Sequence, residues 1–149
     1  NFGAHAALGI FHQIVARGLE GLLAVLRQQL GHALLATDDR ANLPEAEKVL
    51  RLAVARDGEN PFAWYQLGTV YERTGDRART ALATAERANL TGDARMALAS
   101  AQTAMTGLPK GSPDYIRAQD IMMVSKTQVE QERLPAGGRL SKKDLVGAH

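Results

Sequence analysis

The side chains here with the widest chemical reach are four histidines, His5, His12, His32 and His149, since imidazole can ligate a metal or move a proton near neutral pH. None is followed by Glu and no two are four apart, so no H-E-x-x-H zinc pair is present. His5 and His12, seven apart, would share a helical face, but no carboxylate lies between them to complete a ligand set. Glu45 and Glu47 stand at i and i+2 and face different sides of a helix, which argues against a paired-carboxylate mechanism. Ser100, Ser112 and Ser125 lack a G-x-S-x-G context, and there is no Gly-rich phosphate loop. The chain has no cysteine, which removes a thiol nucleophile, a disulfide framework and a zinc ribbon. No catalytic motif, metal site or cofactor site is expected in this chain. Its 18 Lys+Arg against 16 Asp+Glu give a net charge of +2 with no basic block, so nucleic acid is not an expected partner. No stretch reaches the ~18 apolar residues that a membrane-spanning helix needs.

The elements that would position these groups are helical. Ala is frequent, β-branched runs are scarce, and aromatics make up only 5% of the 149 residues. The length predicts one domain. The most informative stretch is Pro61–Asp76, PFAWYQLGTVYERTGD. Spacings of three and four put Trp64, Leu67 and Tyr71 on one helical face, and Gly68 leaves room for a neighbouring helix. Asn60 suits the N-cap, Pro61 the first turn, and Gly75 the left-handed residue that ends the helix. Upstream, Ala46, Leu50 and Ala53 mark a second helix with Pro44 at its start, and Leu30-Gly31 with Leu34 repeats part of the pattern, with the loop Thr37–Leu43 between them. Downstream, Gly92-Asp93 echoes Gly75-Asp76 half a repeat later, bounding a helix over 78–91 with Ala81, Ala85 and Ala88 on one side. Ala97, Ala101 and Ala104 then mark a helix over 94–107, and a last one starts at Pro113 behind Ser112. The residues from Leu134 on show no periodicity and are expected to be a flexible tail, 134–149.

The W-x2-L-G-x2-Y spacing of Trp64, Leu67, Gly68 and Tyr71 resembles helix A of a tetratricopeptide (TPR) repeat, a helix–turn–helix unit of about 34 residues. Ala46, Leu50 and Ala53, and again Ala97, Ala101 and Ala104, fit its helix B. The wider order of features is narrower still. LGHALLATDD, NPFAWYQLGTVYERTGD, ALATAERANLTGD and GSPDYIRAQDI together resemble the C-terminal TPR region of bacterial M48-type zinc metalloendopeptidases, periplasmic proteases of outer-membrane protein quality control. The resemblance spans roughly Leu30–Ile121 and fades before it, so residues 1–24 are read as a separate helical segment and 25–133 as the TPR-like domain. It implies an all-α array of antiparallel helical hairpins, about six to eight helices in all. It also implies a non-catalytic, periplasmic interaction region whose zinc belongs to a protease domain this chain lacks. The chain opens on Asn1 with no signal peptide, as a mature product or a fragment would.

By the same resemblance, the binding surface is the concave face lined by the A helices, and its partners are proteins or unfolded peptide segments, including the parent's own protease domain. That face would present Phe62, Tyr65, Thr69, Glu72 and Arg73 from the clear repeat. Val25, Gln28, His32 and Leu35 would come from the repeat before, and Arg79, Leu82, Glu86 and Asn89 from the one after. Phe62 and Tyr65 are the expected anchors, because exposed aromatics commonly carry interface energy. Trp64 is expected in the core. The alternative is a free-standing TPR scaffold with no protease relation.

Overall fold

A computed structural model describes residues 2–36 and 40–134. Six α-helices follow in order: α1 (Phe2–Ala36), α2 (Leu43–Arg56), α3 (Pro61–Thr74), α4 (Arg77–Leu90), α5 (Ala94–Gly107) and α6 (Pro113–Arg133), with a short 3-10 turn, Arg40–Asn42, ahead of α2. The described residues contain no strand. The fold is an all-α array in which helices adjacent in sequence pack within each of two compact units, divided between Asp76 and Arg77.

Two features of this layout differ from the sequence reading. The 24/25 boundary falls inside a continuous α1, since Gly18 and Gly21 each weaken the helix by only about 1 kcal/mol and no proline interrupts it. The break comes instead at 76/77, within the span read as one domain. The expected tail, apart from Leu134, lies outside the described residues.

The helix ends follow from local chemistry. Asn60 Oδ1 accepts from the Phe62 and Ala63 N–H groups at 3.0 and 3.3 Å, with Pro61 filling the first turn of α3. Gly75, at φ 80°, ends it: its N–H donates to Glu72 O at 3.1 Å, and the Asp76 N–H reaches Tyr71 O at 2.9 Å. Gly92, also at φ 80°, repeats this exit after α4, with the Asp93 N–H on Ala88 O at 2.9 Å. This six-to-one closure needs a left-handed residue, which is why Gly is found at both places. The Asp93 carboxylate then caps α5 by accepting from the Met96 N–H at 3.0 Å, and Ser112 caps α6 by accepting from Tyr115.

In the first unit α1, α2 and α3 all touch one another. Ala46, Leu50, Ala53, Trp64, Leu67 and Tyr71 are buried, together with Leu35 and Val70. The Trp64 indole N–H donates to Gly58 O at 2.8 Å, so the one polar atom of the ring is satisfied inside. Gly31 lies hard against α2: a Cβ there would sit 2.6 Å from Leu50 Cδ2. Leu30, expected inside, is 49% exposed, and Gly31 and Leu35 take the inner positions. Trp64 fixes the roll of α3, whereas Arg27 at the matching place in α1 cannot, and α1 turns its glycine inward instead.

The second unit is built from α4, α5 and α6, each in contact with the other two. Its core is Leu82, Ala85, Ala88, Ala97, Ala101, Ala104, Leu108, Ala118 and Ile121. Small side chains let the axes approach closely: a Cβ on Gly107 would meet Ala78 Cβ at 2.8 Å.

Candidate functional site: an aromatic face on the first unit

The inward spacing of Trp64, Leu67 and Tyr71 dictates what α3 shows to solvent. Phe62 and Tyr65 project outward, 44% and 53% exposed. Their rings lie 6.3 Å apart between centroids and 20° from parallel. Exposed His32 of α1 continues the row, 6.2 Å from the Phe62 centroid and tilted by 42°. Both separations fall within the 4.5–7 Å range of favourable aromatic pairs. The three rings thus form a short ladder across α1 and α3, with the imidazole and the phenol as its polar handles.

Other residues of the expected face bond within α3 or back to α1. The half-buried Thr69 donates its hydroxyl to Tyr65 O at 3.0 Å. Arg73 donates from Nη1 to Leu35 O at 2.9 Å, satisfying a carbonyl at the C-terminal end of α1. Glu72 is exposed. Val25 is exposed on α1, whereas Leu35 is buried. The Gln28 side chain lies outside the described residues.

The residues expected from α4 belong to the other unit and do different work. Arg79 donates from Nε to Asp114 Oδ2 at 3.0 Å. Leu82 is 4% and Glu86 6% exposed, and the Glu86 carboxylate accepts from Arg117 Nε. Burial raises the Glu86 carboxyl above its ordinary value, and the hydrogen bond and charge of Arg117 oppose this. Leu82 and Glu86 are therefore not surface residues, against the expectation from the repeat frame: α6 packs over that side of α4. The partners sit 31 and 35 residues away along the chain, where no local pattern signals them. Asn89 is half-buried.

Gln66 of α3 and Ser125 of α6 are buried polar residues whose side chains have no hydrogen-bond partner. Gln66, one turn after Phe62, is 2% exposed, and neither atom of its amide has a hydrogen-bond partner. On the second unit two shallow clefts of about 310 and 340 Å³ flank the α5–α6 packing near Ala94 and Val129, and Glu132 is the one carboxylate among their lining residues, with no serine or imidazole beside it. Among the described residues no group of three or more His, Asp or Glu could hold a metal ion, and no helix is long and apolar enough to cross a membrane. The face can bind through stacking, apolar contact and two hydrogen-bonding ring edges. Compared with protein-family models, curated proteins and solved structures, the chain matches none.

Proposed function

We propose that this chain is a TPR-type protein-interaction region, binding an unfolded segment or partner protein on the face carrying His32, Phe62 and Tyr65. The observation that carries this reading is the ring ladder itself: three exposed rings on two helices that a well-packed core holds in place. Rigid exposed aromatics lose little side-chain entropy on binding, which is why they recur as interface anchors. The resemblance of Leu30–Ile121 to the M48-type peptidases supports a narrower reading, in which the region is tethered to a periplasmic zinc protease domain. Tethering raises the effective concentration of bound substrate at that active site, or restricts access to it. The chain's part is recognition, and the zinc belongs to the parent.

The test is binding of a fluorescein-labelled, permanently unfolded polypeptide. Phe62→Ala and Tyr65→Ala together should weaken it at least about tenfold, roughly 1.4 kcal/mol. Unfolding followed by Trp64 fluorescence should show only a modest loss, about 1–2 kcal/mol for two half-exposed rings and their pair contact, with a cooperative transition retained. Undiminished binding in the double variant would remove the ladder from the site. The parentage is tested separately: an antibody to this chain should recognise a native product well above 16.0 kDa that carries an H-E-x-x-H segment.

A further inference from the structure

α1 carries a second apolar face that the first unit does not use. Its packed side holds Gly31 and Leu35, with Ala24, Arg27 and Leu34 half-buried. Val15, Leu19, Leu22, Leu23, Leu26 and Leu30 are each between 41% and 56% exposed. At 100° per residue these six fall within an arc of about 100°, a continuous stripe some 22 Å long. No charge interrupts it. Arg17 falls on the opposite side of the helix, Glu20 meets Arg56 of α2 at 3.9 Å, and Arg27 is half-buried.

We propose that this stripe pairs with the same stripe of a second copy of the chain, antiparallel, about a two-fold axis between Leu22 and Leu23. The spacing of the six residues reads identically in both directions. Antiparallel pairing therefore sets Val15 against Leu30 of the second copy, Leu19 against Leu26, and Leu22 against Leu23. A closed two-fold contact requires that reciprocity, with residue i meeting j and j meeting i. The uncharged face adds no repulsion to a like-with-like contact and offers nothing to a charged partner. A helix lying on a lipid surface would instead rim its apolar side with Lys and Arg. The stripe occupies about four turns of one helix, where a standard interface takes about 800 Å² and 20–30 residues per partner, so the association is expected to be concentration-dependent. The proposal does not depend on the aromatic ladder, which lies on another side of α1.

Light scattering and sedimentation of the whole chain, from about 1 to about 500 μM, should show the mass rising from 16.0 kDa toward twice that value. Leu22→Glu with Leu23→Glu puts like charges across the axis and should leave a monomer throughout, with helicity and Trp64 emission unchanged. Because the chain has no cysteine, orientation is read directly: Leu19→Cys mixed with Leu26→Cys should form a mixed disulfide, and neither variant alone should cross-link. A wild-type monomer at every concentration overturns the proposal, and co-flotation of that monomer with phosphatidylcholine/phosphatidylglycerol vesicles would assign the stripe to lipid. Dimerisation that survives the double Glu variant, or Leu19→Cys cross-linking to itself, overturns it equally.

Discussion

Replacing Gly31 by Ala inverts an ordinary expectation. In a helix interior this change normally stabilises by about 1 kcal/mol, because glycine loses more backbone entropy on folding. At Gly31 the added Cβ would stand 2.6 Å from Leu50 Cδ2 and 2.8 Å from its Cγ, against the 3.5–4.0 Å of comfortable carbon contacts. Leu50 is wholly buried, so about 1 Å of relief must come from moving α1 off α2 or from an off-rotamer leucine. Overpacking of this kind costs about 1–3 kcal/mol, and the net is a loss on the order of 1 kcal/mol. Gly21 is the internal control, since a Cβ there meets nothing within 4 Å and Gly21→Ala should gain up to about 1 kcal/mol. The assay is urea unfolding followed by the emission of Trp64, the single tryptophan, which is buried in the same unit. If Gly31→Ala stabilises as much as Gly21→Ala, the close approach of α1 and α2 is wrong. A Leu50→Ala partner tightens the logic: in the Gly31→Ala background its cost should shrink by roughly 1 kcal/mol or more, because the two changes share one contact.

Trp64→Ala should destabilise the first unit by about 3–5 kcal/mol, and a loss below about 1 kcal/mol would show that the ring is not packed as described. Glu86 predicts a pH dependence. Its folded-state carboxyl is raised above 4.5, chiefly by desolvation, so the stability it contributes is full below that pH and is lost as pH rises through the raised value. Relative to wild type, Glu86→Gln should therefore gain stability as pH rises, read by circular dichroism because Trp64 is in the other unit. A constant difference, or one of opposite sign, would contradict the burial. Gln66→Leu should stabilise the first unit by about 1 kcal/mol by removing an unpaired buried amide, and a loss would mean that the amide has a partner.

The legible parts of this fold are those that local chemistry decides. Asn60, Pro61 and Gly75 announce both ends of α3, and the three-and-four spacing of Trp64, Leu67 and Tyr71 fixes its inner face, hence also the outward pair Phe62 and Tyr65. His32 lies beside that pair from the neighbouring helix, 6.2 Å from the Phe62 ring centroid. The errors arise where the pattern carries no size contrast. In α4 the periodic residues are Ala81, Ala85 and Ala88, and methyl groups mark an inner face without excluding a second one. Nothing in that spacing signals that Leu82 and Glu86 face inward as well, where α6 covers them. Leu30 fails similarly, because without a Trp to set the roll of α1 a leucine beside a glycine does not say which of the two turns inward. The division at 76/77 depends on which helices find each other late in the chain, which spacing within one helix does not encode.

The alanine-rich interior of the second unit bears on how that unit responds to temperature. Six of the nine residues in its central cluster are alanines, so close packing is reached while little apolar area per residue is hidden from water. The heat capacity of unfolding scales with newly hydrated apolar surface, and for this unit it should fall below the usual ~12–15 cal/mol/K per residue. A smaller heat-capacity increment flattens the curve of stability against temperature. The unit formed by α4, α5 and α6 is thus built to keep a modest, nearly constant stability over a wide thermal range, with little tendency to cold-denature.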